Sequence, residues 1–236
     1  MSADNAPAQV TIVAVGPGDS RMLTLRGREV LEAADVVTGF KTVLDVVTPW
    51  TSHAEMCPMN YRNQEEVLEY AVDEARKGRR CVVCCWGDLN VSARELLARV
   101  RKRAEIVELV PGISSVQFAL ARSGIFLEDS LFITLHKRQE VDGDMDELAY
   151  YLREDRRHII LLPRPFDLMP PGIAGLLIEL GIPEDRPMLI YQRLTLEDEK
   201  RWEGTLKQCA SSVEEFSDLT IMVFPKRDGG DSGEGA

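Results

Sequence analysis

Along the first half of the chain, short runs of β-branched and apolar residues alternate with segments whose apolar residues recur at helical spacing. Residues 10–15 are apolar or β-branched and lead directly into Gly16-Pro17-Gly18-Asp19. We interpret this stretch as a buried strand that ends in a glycine turn before a helix. The same pattern repeats and predicts strands at 35–39, 80–86 and 105–110, and helices at 24–34, 41–47, 63–77, 93–103 and 113–123. Asn63 with Glu66, and Ser92 with Glu95, are predicted to cap two of these helices. For residues 50–58 the pattern does not distinguish a short strand from a loop. Such alternation is typical of a mostly parallel sheet covered by helices on both faces.

The second half contains shorter strands, and some follow one another without a helix between them. The pattern predicts strands at 131–135, 158–162, 188–192, 201–204 and 219–224, and helices at 144–153, 170–181 and 205–216. We therefore predict an α/β protein with two α/β domains. The first, residues 1–120, has a mostly parallel sheet; the second, 121–225, has a mixed sheet. Residues 226–236 are rich in Gly and Asp, and they are predicted to form a disordered acidic tail.

The composition of the chain limits the classes of partner that the protein is expected to bind. The 236 residues carry a net charge of −11, and a protein that binds a phosphate backbone usually has a basic face. A nucleic-acid partner is therefore disfavoured. No segment approaches the roughly 18 apolar residues that span a bilayer, and residues 1–9 lack the basic start of a secretory signal. We expect a cytoplasmic protein that does not bind membranes.

The five cysteines are an odd number, which fits a reducing compartment better than a disulfide framework. Cys81-x-x-Cys84-Cys85 resembles a metal knuckle, but it lies on a predicted strand. There Cys81 and Cys85 would share one face while Cys84 takes the other. We predict buried structural thiols. The three histidines are far apart in the sequence, so no metal site is predicted.

Three predicted strand ends carry residues that are suited to ligand binding. A parallel sheet brings these strand ends to the same edge. They are Gly16-Pro17-Gly18-Asp19, Gly87-Asp88 and Pro111 to Ser115. Glycines let a ligand approach the backbone, Asp88 can accept hydrogen bonds from an amine or a ribose, and Ser114 and Ser115 begin a helix whose N–H groups attract a carboxylate. Each of these three segments, taken alone, could be an ordinary turn or helix cap. A dinucleotide is disfavoured because Arg21 replaces the third glycine of G-x-G-x-x-G.

Several longer stretches carry a family resemblance that covers nearly the whole chain. They are VAVGPGDSRMLTLRGREVLEAADVVTG at 13–39, CWGDLN at 85–90, VPGISSVQFALARSGI at 110–125, LFITLHKR at 131–138, YQRLTLEDE at 191–199 and EGTLKQ at 203–208. With these motifs the chain resembles the tetrapyrrole (corrin and porphyrin) methylase family of corrin and sirohaem synthesis. Within that family it is most similar to the cobalt-precorrin-7 (C5)-methyltransferase branch of cobalamin biosynthesis.

The resemblance implies a cleft between the two domains, a homodimer, and S-adenosyl-L-methionine as cofactor, with S-adenosyl-L-homocysteine as product. By motif match the cofactor-binding residues are Pro17, Gly87, Asp88, Val91, Ser114, Ser115, Pro163 and Gln192. His136, which follows a predicted strand, and Asp88 or Asp19 are candidate catalytic residues, although an ordinary surface role fits His136 equally well. Since the substrate class carries many carboxylates, Arg138, Arg164 and Arg193 are candidate substrate-binding residues.

Further expectations and alternatives follow from the same resemblance. The C15-methylating, decarboxylating activity is expected on a separate partner polypeptide, because no third domain follows residue 225. One alternative function is a sister methylase that acts on another tetrapyrrole carbon, a protein or an rRNA. Another is a non-catalytic protein that binds a nucleotide-like ligand through the same loops.

Overall fold

The computed structural model describes residues 7–137, 141–165 and 167–227. The chain divides into two compact units, Met1–Ser115 and Val116–Ala236. Each unit contains one five-stranded sheet with helices packed against it, which confirms the predicted α/β class. In the described residues no helix is long and apolar enough to cross a membrane.

The sheet of the first unit is parallel throughout, with strand order β3-β2-β4-β1-β5. Its strands are β1 (Gln9–Ala14), β2 (Val36–Phe40), β3 (Glu55–Met59), β4 (Cys81–Cys85) and β5 (Glu105–Val110). Its helices are α1 (Leu25–Ala33), α2 (Lys41–Val47), α3 (Gln64–Arg76) and α4 (Arg94–Arg101), and α5 (Ser115–Ser123) begins at the last residue of the unit. A parallel sheet places all five strand ends at one edge, where the connecting loops meet.

Two hydrophobic clusters cover the two faces of this sheet. Cys81 and Cys85 lie in one cluster and Cys84 in the other, so the predicted alternation is confirmed. All three thiols are buried. Burial raises the pKa of Cys81 to about 11 and that of Cys85 to about 12. These thiols therefore stay protonated at neutral pH and act as small apolar side chains.

Two predicted helix caps are wrong. Asn63 makes no side-chain cap to α3; its Oδ1 instead accepts a hydrogen bond from Asn60 N at 2.6 Å, within the preceding turn. Ser92 is not the N-cap of α4, because Ala93 takes that position and Ser92 has a φ of 61°. In both cases local hydrogen bonding or turn geometry competes with the cap for the same residue.

The sheet of the second unit is mixed, as predicted, with strand order β6-β7-β10-β8-β9. Only β6 and β7 pair in parallel, and the other neighbours are antiparallel. The strands are β6 (Ser130–Thr134), β7 (His158–Leu162), β8 (Pro187–Gln192), β9 (Lys200–Thr205) and β10 (Thr220–Phe224), and the helices are α6 (Asp142–Glu154), α7 (Pro170–Glu179) and α8 (Leu206–Ala210).

The helix predicted at 205–216 is shorter than expected. It begins at a capping box formed by Thr205 and Gln208, and it ends at Ala210. Just beyond its end, Ser211 Oγ donates to Lys207 O at 2.9 Å. This side-chain bond satisfies a carbonyl of the last turn, and it offers the backbone an alternative to further helix.

Asp155 joins the end of α6 to the segment that follows β10. It adopts the left-handed conformation at the helix C-cap. Its carboxylate accepts hydrogen bonds from Arg186 Nη2 and Arg227 Nε, both at 2.7 Å, and Arg186 also donates to Pro225 O at 2.9 Å. Lys226 N donates to His158 Nδ1 at 2.9 Å. The predicted tail therefore begins with two hydrogen-bonded residues, and its remainder, 228–236, lies outside the described residues.

We expect the Asp155 cluster to make stability depend on pH. Burial raises the pKa of Asp155, but hydrogen bonds from Arg186 and Arg227 outweigh burial and hold the pKa at about 2. The carboxylate therefore stabilises the fold above the unfolded pKa of 3.8, and this contribution is lost as the pH falls through about 2. Asp155→Asn keeps the left-handed backbone and should lower the free energy of unfolding by about 2 kcal/mol at neutral pH.

Urea denaturation at a series of pH values checks this expectation. The difference between wild type and Asp155→Asn should shrink as the pH falls from about 4 to about 2. Asp45→Asn serves as the matched control, since Asp45 forms an exposed pair with Lys41 and should change stability little. A difference that stays constant across the pH series would contradict the assignment.

Candidate active site

The carboxyl ends of β1, β4 and β5 are held together by backbone hydrogen bonds and one carboxylate. Gly16 N donates to Gly87 O at 3.2 Å, and Gly87 N donates to Gly16 O at 2.8 Å. Gly112 N donates to Asp88 Oδ2 at 3.1 Å. The loops after β4, β1 and β5 therefore meet, as predicted for three adjacent strands of a parallel sheet. We call Gly16, Gly87, Asp88 and Gly112 the three-loop junction.

Two glycines make this close approach possible. A Cβ at Gly112 would lie 2.3 Å from Gly87 O and 2.8 Å from Ala14 O, so no side chain fits there. Gly87 has a φ of +62°, which favours glycine. A Cβ at Gly87 would lie 3.8 Å from Ser114 Cα and 3.9 Å from Ser115 N. The absence of a side chain leaves bare backbone beside the start of α5.

The Asp88 carboxylate connects two loops through hydrogen bonds. Its Oδ1 accepts hydrogen bonds from Asn90 N at 2.9 Å and Asn90 Nδ2 at 3.0 Å, while its Oδ2 accepts from Gly112 N. Val91 N donates to Asp88 O at 3.1 Å, which closes the turn that carries the half-buried Val91. The carboxylate thus has hydrogen-bond partners on both oxygens and sets the shape of the loop after β4.

The other predicted residues of the first unit lie on the same edge. Pro17 is buried. Asp19 accepts from Arg21 N at 2.9 Å and caps the short 3₁₀ helix Ser20–Met22. Hydrogen bonds from the Arg21 side chain and backbone hold the pKa of Asp19 below its usual value. Ser114 is 5% exposed, and Ser115 begins α5, where first-turn N–H groups have no partner within the helix.

The predicted residues of the second unit also share one edge. Strands β6, β7 and β8 run in the same direction, because β10 is antiparallel to both β7 and β8. Pro163 follows β7, Gln192 ends β8, and His136 lies just beyond β6. Pro163 and Gln192 are buried, whereas His136 is exposed. The Gln192 side chain accepts from Ser217 N at 2.9 Å and donates to Glu214 at 3.3 Å, so it supports the segment before β10.

Both described substrate-binding candidates form ion pairs with an aspartate. Arg164 Nε lies 2.8 Å from Asp167 Oδ1, and Arg193 Nε lies 2.6 Å from Asp198 Oδ2. Arg193 lowers the pKa of Asp198 through this hydrogen bond. The aspartate side chains are 60% and 59% exposed, so these pairs contribute little stability and a ligand carboxylate can take the place of either aspartate. Arg138 lies outside the described residues.

A groove of about 400 Å³ in the first unit lies at the opposite edge, near the amino ends of β1 and β4. Its arginines are already neutralised: Arg26 pairs with Glu108, Arg79 with Glu74, and Arg80 with Asp35. In α/β sheets ligands bind at the carboxyl edge. We therefore place the candidate site at the three-loop junction and not in this groove.

Glycine loops at the carboxyl edge of a parallel sheet are a common place for ligand binding in α/β folds. Residues 9–210 match the family described as tetrapyrrole (corrin/porphyrin) methylases. The chain belongs to this family, which confirms the resemblance seen in its motifs. It is a methyltransferase, and the family depends on S-adenosylmethionine.

Individual relatives agree with this placement. The chain is 30% identical to a probable cobalt-precorrin-7 C(5)-methyltransferase of Methanocaldococcus jannaschii, over 91% of this chain and 97% of the relative. It is 26% identical to the cobalt-precorrin-4 C(11)-methyltransferase of the same organism, over 87% and 82%. Its fold is similar to that of precorrin-6Y methylase (CbiE) from Archaeoglobus fulgidus, with a TM-score of 0.67, 24% identity, and coverage of 93% and 99%.

We expect Gly112→Ala to disrupt the three-loop junction. The new Cβ would meet backbone carbonyls that cannot rotate away, so stability should fall by about 3 kcal/mol and affinity for S-adenosylhomocysteine should fall with it. Denaturation and calorimetric titration measure the two effects. Gly175→Ala is the control, since a Cβ there meets nothing within 4 Å and alanine favours helix α7. Equal behaviour of the two variants would argue against a tight junction.

We expect Asp88 to act as a positioning residue. Asp88→Asn keeps one acceptor, so it should weaken cofactor binding less than Asp88→Ala, and kcat at saturating substrates should fall less than about tenfold. Removing a general base typically costs about a hundredfold or more. Steady-state kinetics with both variants distinguish these cases. A loss of kcat on the general-base scale, with an unchanged KM for the cofactor, would instead make Asp88 catalytic.

Proposed function

We propose that this chain is the S-adenosylmethionine-dependent C-methyltransferase that methylates C5 of cobalt-precorrin-7 in cobalamin biosynthesis. The observation that carries the proposal is the 30% identity to the Methanocaldococcus enzyme over nearly the full length of both chains. The three-loop junction supports it, because it offers a cofactor bare backbone at the edge where α/β sheets bind ligands.

The residues present fit this cofactor. Gly87 has no side chain between its backbone and the start of α5, and a helix N-terminus such as that at Ser115 suits the carboxylate of the methionyl group. Pro17 and Val91 offer apolar surface, and Asp88 holds the surrounding loops in position. Pro163 and Gln192, at the strand ends of the second unit, remain predicted cofactor-binding residues. When bound, S-adenosylmethionine supplies a methyl group on a positively charged sulfur, which departs as a neutral thioether.

The protein's own task is then mainly alignment. Because the leaving group departs neutral, no side chain has to activate it. Holding two reactants in line can supply several kcal/mol of barrier reduction. Arg138, Arg164 and Arg193 would hold substrate carboxylates, with Asp167 and Asp198 released from the two described pairs. His136, exposed at the end of β6, would hold or move a proton at the substrate.

A methyl-transfer assay tests the proposal. We expect incubation with cobalt-precorrin-7 and cofactor labelled with carbon-13 in the methyl group to add one labelled methyl per macrocycle. Nuclear magnetic resonance of the product should place the label at C5, and S-adenosylhomocysteine should form in equal amount. Boiled enzyme is the control. Binding of cofactor without transfer to any macrocycle would contradict the proposal.

The same assay separates a sister activity. The 26% identity to the C(11)-methyltransferase makes cobalt-precorrin-4 the appropriate competing substrate. Faster labelling of that compound would move the assignment to another carbon on the same scaffold. A protein or rRNA substrate is disfavoured, since the net charge of −11 opposes binding to a phosphate backbone.

A further inference from the structure

We propose that the exposed ring of Tyr61, supported by the half-buried Phe40, stacks on the flat face of the tetrapyrrole, and that Arg62 binds one of its carboxylates. This inference rests on the proposed function and adds a substrate subsite to it. The two rings have centroids 5.0 Å apart and planes inclined at 56°. We call Phe40, Tyr61 and Arg62 the aromatic platform.

Sheet order places the platform beside the three-loop junction. Phe40 is the last residue of β2 and pairs with Met59, the last residue of β3, and Tyr61 follows shortly after. Strand β2 lies next to β4, whose loop carries Gly87 and Asp88. Neighbouring strands lie about 5 Å apart. The carboxyl edge therefore has two adjacent parts: the ends of β4, β1 and β5 present mainly backbone, and the ends of β2 and β3 present aromatic side chains. A macrocycle on the second part would lie beside a cofactor on the first.

The turn after β3 is built to hold Tyr61 in place. Asn60 Oδ1 accepts hydrogen bonds from Arg62 N at 2.8 Å and Asn63 N at 3.2 Å, while Asn60 N donates to Asn63 Oδ1. These bonds fix the backbone on both sides of Tyr61. The residue is nevertheless 60% exposed. A rigid, exposed ring loses little entropy when a flat ligand covers it.

Arg62 supplies charge where this acidic protein needs it. Its side chain is exposed, and in the described part of the chain its guanidinium forms no ion pair. Other basic residues near this edge are neutralised: Arg21 pairs with Asp19 and Lys41 with Asp45. A guanidinium that needs no exchange of partner is well suited to bind a ligand carboxylate in two-point contact.

Uroporphyrin and cobyrinic acid, two stable carboxylate-rich tetrapyrroles, serve as probes for the platform. We expect Tyr61→Ala to weaken binding of both about tenfold by absorbance titration, whereas Tyr61→Phe, which keeps the ring, should change it less than about twofold. Arg62→Gln should weaken binding most at low salt, because screening reduces the contribution of an exposed charge. Tyr150→Ala is the matched control, since Tyr150 is 54% exposed and its ring also contacts a neighbouring tyrosine.

Calorimetry with S-adenosylhomocysteine, run on the same variants, separates this inference from the proposed function. Unchanged affinity for S-adenosylhomocysteine in Tyr61→Ala, together with weaker probe binding, would support the platform. Equal probe binding by Tyr61→Ala and Tyr150→Ala would overturn the platform and leave the function intact. A parallel loss of both ligands in Tyr61→Ala would also overturn it, since Tyr61 would then support the fold. Failure of the wild type to bind S-adenosylhomocysteine would instead reject the proposed function.

Discussion

The carboxyl ends of β1, β4 and β5 approach one another so closely that backbone meets backbone with no side chain between. Gly112 lies against the carbonyl oxygens of Gly87 and Ala14, and Asp88 accepts the Gly112 N–H that this approach brings near. Each feature requires the others, because a residue larger than glycine at 112 would separate the loops and leave Asp88 without that donor. The absence of a side chain at Gly87 likewise leaves its backbone close to the start of α5. The proposed cofactor site therefore depends on packing within the sheet as much as on the residues that line it.

The two halves of this edge use different chemistry. The half over β4, β1 and β5 presents mostly backbone, whose N–H and C=O groups are fixed by the sheet and need no ordering when a ligand binds. The half over β2 and β3 presents side chains, with two rings and an arginine in a turn made rigid by Asn60. A small cofactor with many polar groups suits the first surface. A broad, flat, carboxylate-rich macrocycle suits the second.

Much of this arrangement follows from local sequence patterns. Apolar runs that stop at glycine correctly predicted every strand of the parallel sheet except β3, which was expected only as an uncertain strand and loop, and period-two alternation correctly divided Cys81 and Cys85 from Cys84. The errors arose where a side chain could form either of two local hydrogen bonds. Asn63 bonds within a turn instead of capping α3. The Ser211 hydroxyl bonds to the last turn of α8, and this helix ends earlier than predicted. The contact between Phe40 and Tyr61 could not be predicted, because it depends on the register of β2 against β3. The pairing of Arg164 and Arg193 with aspartates likewise depends on loop geometry.

Hydrogen bonding at Asp88 bears on how the reaction is accelerated. Both oxygens of this carboxylate accept hydrogen bonds from loop donors, so Asp88 holds the loops after β4 and β5 in position. Its proposed part in the reaction is therefore to keep the cofactor loops aligned, and holding two reactants in line can lower the barrier by several kcal/mol.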